Sequence, residues 1–149
     1  MSTPEEIKVI DVLLVEDDAG DVLLIEEAFA DNKVRNRVHH VSDGVDALAF
    51  LRREGEYADA PHPDLVLLDL NLPRKDGREV LAEVKGDPSL RDIPVIILTT
   101  SSAPADVTLA YDRGANAFVR KPLGMDRLIE AAASIRDFWL RTATLPSEA

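Results

Sequence analysis

Short apolar runs alternate with longer amphipathic stretches along this chain. Four runs are almost entirely apolar and cover residues 12–15, 65–68, 95–98 and, more weakly, 117–119. Apolar runs of this length, without alternating polar positions, are typical of strands buried on both faces of a parallel sheet. A fifth segment, residues 37–41, is less apolar and is predicted to form a strand at the edge of that sheet.

The stretches between these runs have helical periodicity. Their apolar faces are formed, in order, by Val22, Ile25 and Phe29; by Val45, Leu48 and Leu51; by Val80, Leu81 and Val84; by Val107, Ala110 and Tyr111; and by Leu128, Ala132, Ile135 and Trp139. Strand and helix therefore alternate five times. This alternation predicts a doubly wound α/β fold with a five-stranded parallel sheet and right-handed crossovers.

Length and composition favour one folded domain over residues 1–149. Its core is expected over about residues 9–140, with a short N-terminal extension and an apolar C-terminal tail. Residues 1–6 and 142–149 are predicted to be loose ends. Hydrophobic residues make up 46% and charged residues 30% of the chain, a balance that argues against a disordered protein.

Several classes of function are disfavoured by what the chain lacks. The formal net charge of −11 would repel a phosphate backbone, so we expect no direct binding of nucleic acid. The chain has no cysteine, which excludes disulfides, thiol catalysis and thiolate metal sites. No apolar run approaches the roughly 20 residues of a membrane helix, and a cytoplasmic location is expected.

Chemically capable residues stand at the ends of four predicted strands. Glu16 and Asp17 follow the first strand, Asp69 the third, Thr99 the fourth and Lys121 the fifth. Ligands of an open parallel sheet bind beyond the carboxyl ends of its strands, so these side chains are expected at one rim. Crowded carboxylates favour a hard divalent cation such as Mg²⁺. A carboxylate can also attack phosphorus, while a lysine and a hydroxyl can contact phosphate oxygens.

Each of these residues alone has an ordinary structural explanation. Acidic residues after a strand favour the N-terminus of a helix, and Asp69 could cap a turn. Thr99 could be an ordinary strand residue, and Lys121 a surface lysine. One shared site explains all four strand ends together, and we therefore prefer it. The three histidines, His39, His40 and His62, lack ligand spacing and are expected to face solvent or loops.

Taken together, these motifs resemble the response-regulator receiver family of two-component signalling. The matching segments are residues 12–18, 64–73, 76–77, 94–99 and 114–122, and the resemblance extends over about residues 9–140. It implies a flavodoxin-like receiver fold with strand order 2-1-3-4-5. It also implies a signalling switch, rather than an enzyme, that takes a phosphoryl group from a sensor histidine kinase.

The resemblance also implies roles for individual residues around the acceptor. Asp69 is the expected phosphoacceptor in a Mg²⁺-dependent reaction. Asp17 and Asp69 would bind the metal directly, Glu16 through water, and Asn71 through its backbone carbonyl. Glu16 stands where an aspartate is commoner, so its longer side chain is expected to alter the water-mediated contact.

Two further residues, Thr99 and Lys121, are implied to contact the phosphoryl group. Thr99 and Phe118 would form a switch pair, in which the hydroxyl turns toward the phosphate and the ring turns inward. This change would alter the face made by helix four, strand five and helix five. Thr100 occupies a position where a smaller residue is frequent, and Phe118 lacks the hydroxyl of a tyrosine.

Finer features resemble the single-domain regulators that are paired with phytochrome-type kinases. They are the helix start at residues 20–22, the loop at 55–63 and the ending at 138–146. The chain ends soon after the last helix, so we expect its output to be protein contact or onward phosphotransfer.

A homodimer is expected through the face of helix four, strand five and helix five. Phe138 and Trp139 are adjacent, and adjacent helical positions point about 100° apart, so one helical stripe is not expected to bury both. The tail adds Leu140, Leu145 and Pro146 with no obvious core to enter. Such apolar patches often mark interfaces. The alternative is that the tail folds back over its own domain.

Two other classes of function compete with a signalling switch. A Mg²⁺-dependent phosphohydrolase with an aspartyl nucleophile would want a general acid two residues later, where this chain has Asn71. A flavodoxin-like flavin carrier would need a phosphate-binding loop after strand one, where Glu16 and Asp17 would repel a phosphate.

Overall fold

The computed structural model of the chain describes residues 9–30 and 35–148, so the prediction for residues 1–6 lies outside the described residues. Strands and helices alternate as β1 (Ile10–Val15), α1 (Ala19–Phe29), β2 (Asn36–Val41), α2 (Gly44–Arg52), β3 (Leu65–Leu68), α3 (Gly77–Gly86), β4 (Val95–Thr99), α4 (Pro104–Asp112), β5 (Ala117–Arg120) and α5 (Met125–Asp137). A π-helical turn, Phe138–Thr142, continues α5, and short 3₁₀ turns occupy Gly55–Tyr57 and Pro146–Glu148.

All neighbouring strands are parallel, and their order is β2-β1-β3-β4-β5, which confirms the predicted fold class. The three central strands are buried along their whole length, as their continuous apolar runs predicted. The two outer strands, β2 and β5, carry partly exposed residues, so the edge position predicted for the fifth segment is confirmed.

The core has two halves, one on each face of the sheet. Alternate residues of β1 point to opposite sides: Leu13 and Val15 join one apolar cluster, and Val12 and Leu14 join the other. The first cluster is completed mainly by α2 and α3, and the second by α1 and α5. Both halves therefore hold the sheet in place, and its carboxyl end is left accessible between helices.

The predicted helical faces are correct for α1, α3 and α5 but only partly correct for α2 and α4. In α2, Leu48 and Leu51 are buried as predicted, whereas Val45 is 37% exposed and Phe50 enters the core instead. In α4, Tyr111 is half exposed, because its hydroxyl lies at the sheet edge, where it accepts a hydrogen bond from the Phe118 N–H at 3.1 Å.

The tail differs most from the prediction. Leu140 and Leu145 are buried in the cluster that contains α1 and α5, so they contribute nothing to an exposed patch. The π-helical turn redirects the chain after α5 and brings Leu145 back to the domain, where its N–H donates to Glu148 Oε1. The loose end predicted at residues 142–149 is therefore wrong for its described part. The prediction for the adjacent aromatic residues is confirmed, since Phe138 is 52% exposed while Trp139 packs against the core.

Two of the histidines expected to face solvent have partners on the first strand or directly after it. His39 Nε2 lies 2.9 Å from Asp11 Oδ1, and the His39 ring packs beside Phe50. His40 Nε2 lies 2.7 Å from the backbone oxygen of Glu16. These contacts follow from the parallel pairing of β2 with β1, which a sequence pattern does not specify.

Within residues 9–30 and 35–148, every helix is too short or too polar to cross a bilayer.

A carboxylate cluster around a buried lysine at the carboxyl end of the sheet

The carboxyl ends of four strands bring the predicted site residues together. Glu16 follows β1, Asp69 follows β3, Thr99 ends β4 and Lys121 follows β5. All four are buried. Burial is rare for charged side chains such as Glu16, Asp69 and Lys121 unless they are paired. The surface explanation for Lys121 is therefore wrong.

Three carboxylates at this rim lie close enough to share one cation. An oxygen from each of Glu16, Asp17 and Asp69 lies within 4.8 Å of the other two. Asp17 is exposed, so the cluster is open to solvent on one side. Hard oxygen donors in a solvent-accessible group match the preference of Mg²⁺ and similar divalent ions, which keep part of their water shell. The donor set therefore fits a divalent metal ion.

The Lys121 ammonium group contacts three carboxylates. It donates to Glu16 Oε1, to Asp69 Oδ2 at 2.9 Å and to Asp21 Oδ2 at 3.0 Å. Glu16 and Asp69 were predicted from the sequence as metal ligands, whereas Asp21 was not predicted. Its place in the first turn of α1, just beyond the carboxyl end of β1, is the signal that could have identified it.

Burial and hydrogen bonding have opposite effects on the pKa values of Glu16 and Lys121. Burial raises the pKa of Glu16 to about 7, although the hydrogen bond from Lys121 opposes the shift. Burial by itself would lower the pKa of Lys121, but its bonds to Glu16 and Asp69 raise that pKa above the ordinary lysine value. The ammonium group is stabilised by several carboxylates, whereas Glu16 faces the further negative charge of Asp69.

The backbone around Asp69 is held by close packing at two glycines. A Cβ atom at Gly77 would lie 2.1 Å from the Asp69 carbonyl oxygen, and one at Gly44 would lie 2.1 Å from the Lys75 carbonyl oxygen. Any larger residue would displace the segment between β3 and α3. Within this segment the Asn71 N–H donates to Asp69 Oδ1 at 3.1 Å. The Asp69 side chain is thus oriented by a hydrogen bond at each of its two oxygens, from Asn71 and from Lys121.

The predicted switch residues lie on neighbouring strands. Thr99 is fully buried, and its Oγ1 accepts a hydrogen bond from the Ser101 N–H at 3.4 Å, a long contact. Phe118 lies on β5, where it pairs with Ile97 of β4, and its ring packs partly buried against the core. The structure therefore places Thr99 at the rim and Phe118 beneath it on the adjacent strand.

A groove of about 260 Å³ opens beside Lys121. Its walls come from α1, from the segment after β4, from the segment between β5 and α5 and from the start of α5, and they include Asp21, Leu24, Thr100, Pro122 and Leu128.

Known proteins are similar to this chain in both sequence and structure. The family model described as the response regulator receiver domain matches residues 12–133. Response regulator Rcp1 of Synechocystis sp. is 44% identical over 136 residues, which are 91% of this chain and 92% of the relative. The probable methanogenesis regulatory protein FilR2 of Methanothrix harundinacea is 40% identical over 129 residues, 87% of this chain and 83% of the relative.

Solved structures give the same assignment. The phosphorylated cyanobacterial phytochrome response regulator RcpA superposes with a TM-score of 0.91 at 50% identity, covering 93% of this chain and 99% of that one. The Mn²⁺-bound form of Rcp1 superposes with a TM-score of 0.90 at 44% identity, covering 92% of this chain and 99% of that one.

Proposed function

This chain belongs to the response regulator receiver family of two-component signalling systems, and we propose that it accepts a phosphoryl group on Asp69 from a sensor histidine kinase. The observation that carries the proposal is the environment of Asp69. Its carboxylate is buried at the carboxyl end of the sheet, 2.9 Å from a lysine ammonium group and beside two further carboxylates.

The chemistry of this step is a displacement at phosphorus. An oxygen of Asp69 forms a new P–O bond, and the P–N bond of the kinase phosphohistidine breaks with its electron pair returning to the imidazole. The Asn71 N–H and the Lys121 ammonium group hold the two oxygens of the acceptor, so its orientation is fixed before the donor arrives.

Glu16, Asp17 and Asp69 would hold Mg²⁺ in this reaction. Receiver domains bind a divalent metal ion at an acidic pocket, and one solved relative carries Mn²⁺. Such an ion neutralises negative charge on the transferring group. In keeping with the family resemblance, Asp17 and Asp69 would be direct ligands, Glu16 would act through water, and Asn71 would add its backbone carbonyl.

The signal would leave the site through Lys121 and Thr99. The ammonium group would exchange a carboxylate partner for phosphoryl oxygens. The Thr99 hydroxyl, which accepts a long hydrogen bond from the Ser101 N–H, would rotate toward the same group. Inward movement of the Phe118 ring would then change the face formed by α4, β5 and α5.

A phytochrome-type kinase is the proposed phosphodonor, and the cytoplasm the expected compartment. The proposal is supported by the similarity to Rcp1 and to the phytochrome response regulator RcpA. Receiver domains are generally signalling proteins. A phosphohydrolase would want a general acid at position 71, and Asn71 cannot serve as one.

The acceptor assignment is tested by substituting Asp69 with asparagine, which keeps the shape and removes the nucleophile. With acetyl phosphate and Mg²⁺, the parent is expected to gain one phosphoryl group by intact-protein mass spectrometry, and D69N none. D59N, which alters an exposed loop acid, is the control and should label like the parent. Labelling of D69N at the parental level would falsify the assignment.

We also propose a homodimer formed through the face of α4, β5 and α5. Exposed Phe138 and half-exposed Tyr111 support it, although Leu140 and Leu145 do not contribute because they are buried. F138D is expected to remain monomeric in sedimentation velocity, with or without a phosphoryl mimic, while Asp69 still labels. L23D, which charges an exposed position on α1, should leave the dimer intact. A parent that stays monomeric at all concentrations in both states would rule the dimer out.

A further inference from the structure

The Lys121 ammonium group uses all of its hydrogen-bonding capacity on carboxylates. An ammonium group has three N–H donors, and here the acceptors are Glu16, Asp69 and Asp21. The lysine side chain is buried, so the ammonium group has little water to replace a lost partner. The position of its charge is therefore set by the balance among three acidic side chains.

Asp21 differs from the other two acceptors in its surroundings. Glu16 and Asp69 also belong to the carboxylate cluster that fits a divalent ion, whereas Asp21 does not. Asp21 lies in the first turn of α1, where its own N–H is held by Asp18 Oδ1 at 3.0 Å. A negative charge at this end of a helix is stabilised by the helix dipole. Asp21 is thus the partner of Lys121 that lies outside the carboxylate cluster.

We propose that Asp21 is a positioning residue, which holds the Lys121 ammonium group beside Asp69 when Glu16 and Asp69 are engaged with other partners. This inference rests on the proposed function, because the placement of the lysine matters only if Asp69 receives a phosphoryl group. Without Asp21, the ammonium group keeps two acceptors, and both belong to the carboxylate cluster that fits a divalent ion. It would then be placed less accurately for the incoming phosphoryl oxygens.

The expected consequence is slower phosphorylation with an intact acceptor. Asp21→Asn keeps the size of the side chain but removes its charge. Losing one charge-assisted hydrogen bond at a partly exposed carboxylate should slow labelling by acetyl phosphate at saturating Mg²⁺ by roughly tenfold. Asp21→Glu keeps the charge and should recover most of the rate. E27Q removes one charge from an exposed position later on α1 and should label like the parent.

A second measurement follows the lysine directly and requires no reaction. In metal-free buffer, the Lys121 ammonium protons should exchange slowly enough for detection in ¹H–¹⁵N NMR spectra, with the signal assigned by its absence in K121M. In D21N the exchange should become several-fold faster, and in D21E and E27Q it should stay near the parental rate. A general loss of folding would instead broaden backbone amide signals throughout the domain.

The outcomes separate this inference from the proposed function. Slow labelling and fast ammonium exchange in D21N, with recovery in D21E, would support the positioning role. Parental labelling and parental exchange in D21N would overturn it while Asp69 remained the acceptor. If the parent gains no phosphoryl group, the proposed function fails and the positioning role for phosphorylation fails with it. The ammonium exchange would then report only whether Asp21 orders the lysine.

Discussion

Two groups of acidic side chains each surround one basic side chain, and the two groups differ in net charge and in burial. At the carboxyl end of the sheet, the Lys121 ammonium group faces three carboxylates, and Asp17 lies close by as a fourth. Between α3 and α4, the Arg78 guanidinium group faces two, Asp76 and Asp106, with N–O distances of 2.8–3.2 Å. We call these the lysine cluster and the arginine cluster.

The pKa values of the carboxyl groups in the two clusters shift in opposite directions. In the lysine cluster, Glu16 is only 1% exposed, and burial raises its pKa to about 7. In the arginine cluster, the Asp106 side chain is 18% exposed, and its hydrogen bond from Arg78 lowers its pKa to about 2. A second bond, from the Ser101 hydroxyl, acts in the same direction.

This difference in pKa shift distinguishes the two clusters. The arginine cluster is a structural ion pair, whereas the lysine cluster carries a net negative charge that a bound cation would neutralise. The arginine cluster satisfies its carboxylates with a planar fork and joins the start of α4 to α3. The lysine cluster leaves negative charge in excess, and buried excess charge reduces the stability of the fold. Such a cost is reasonable where a divalent cation would neutralise it, as proposed for this rim.

Removing the lysine should cause the largest loss of stability. Lys121→Met leaves Glu16 and Asp69 buried without a cation, and breaking a buried pair in this way typically costs about 3–5 kcal/mol. We expect this loss in urea unfolding at pH 8 in metal-free buffer. The loss should be smaller at pH 5, where Glu16 is protonated.

A matched substitution at a more exposed ion pair provides the control. Lys75 pairs with Glu83, and both side chains are about one-third exposed. Lys75→Met should therefore cost at most about 1 kcal/mol. Equal losses for K121M and K75M would contradict the proposed difference between buried and exposed clusters.

The pH dependence of Glu16 should be the next largest effect. The folded-state pKa of about 7 lies above the unfolded value of 4.5, so the folded protein binds the proton more tightly. The contribution of Glu16 is fully present below pH 4.5 and is lost as pH rises through 7. The loss amounts to about 3.5 kcal/mol without metal, at about 1.4 kcal/mol for each unit of pKa.

Glu16→Gln isolates this dependence because glutamine does not titrate. In metal-free buffer, E16Q should exceed the parent in stability at pH 8, and the difference should shrink as pH falls toward 4.5. Thermal unfolding at a series of pH values measures this difference in stability. A constant difference across this range would show that Glu16 is ionised throughout.

The sequence predicted the elements that depend on local pattern alone. The third strand was predicted at residues 65–68 and is found there, because a strand buried on both faces needs an unbroken apolar run. Glu16, Asp69 and Lys121 were found from the rule that parallel strands present ligands at their carboxyl ends. Both predictions depend only on the pattern of apolar residues along the chain and on the parallel topology of the sheet.

Features that depend on distant packing were missed. Asp21 is close to Asp17 in the sequence, but its partner Lys121 lies 100 residues away. The return of Leu145 to the core follows a π-helical turn that helical periodicity does not predict. Val45 was placed on the inner face of α2 although Phe50 fills that space, since a nine-residue helix offers overlapping apolar stripes.

A smaller effect is expected in the arginine cluster, with the opposite dependence on pH. The pKa of Asp106 falls from 3.8 to about 2 on folding, so its contribution is present above pH 3.8 and is lost as pH falls through 2. After allowance for solvent screening, D106N should cost about 1 kcal/mol at pH 7. Its difference from the parent in thermal unfolding should narrow between pH 4 and 2, whereas a gap that widened there would exclude this assignment.

The smallest predicted effect comes from exchanging the cation within the arginine cluster. Arg78→Lys keeps the charge but replaces a rigid fork of donors with a single ammonium group, which cannot bond both oxygens of Asp106 and also reach Asp76 in the same geometry. The carbonyl of residue 78 still accepts a bond from Arg113, so the link between α3 and α4 persists in part. We expect a loss of about 0.5 kcal/mol in urea unfolding, against about 1 kcal/mol for Arg78→Ala. Hydrogen exchange should be faster at the start of α4 and unchanged in β1 and β3. A cost for R78K as large as that of K121M would mean that both clusters are equally dependent on their cation, and the distinction between them would fail.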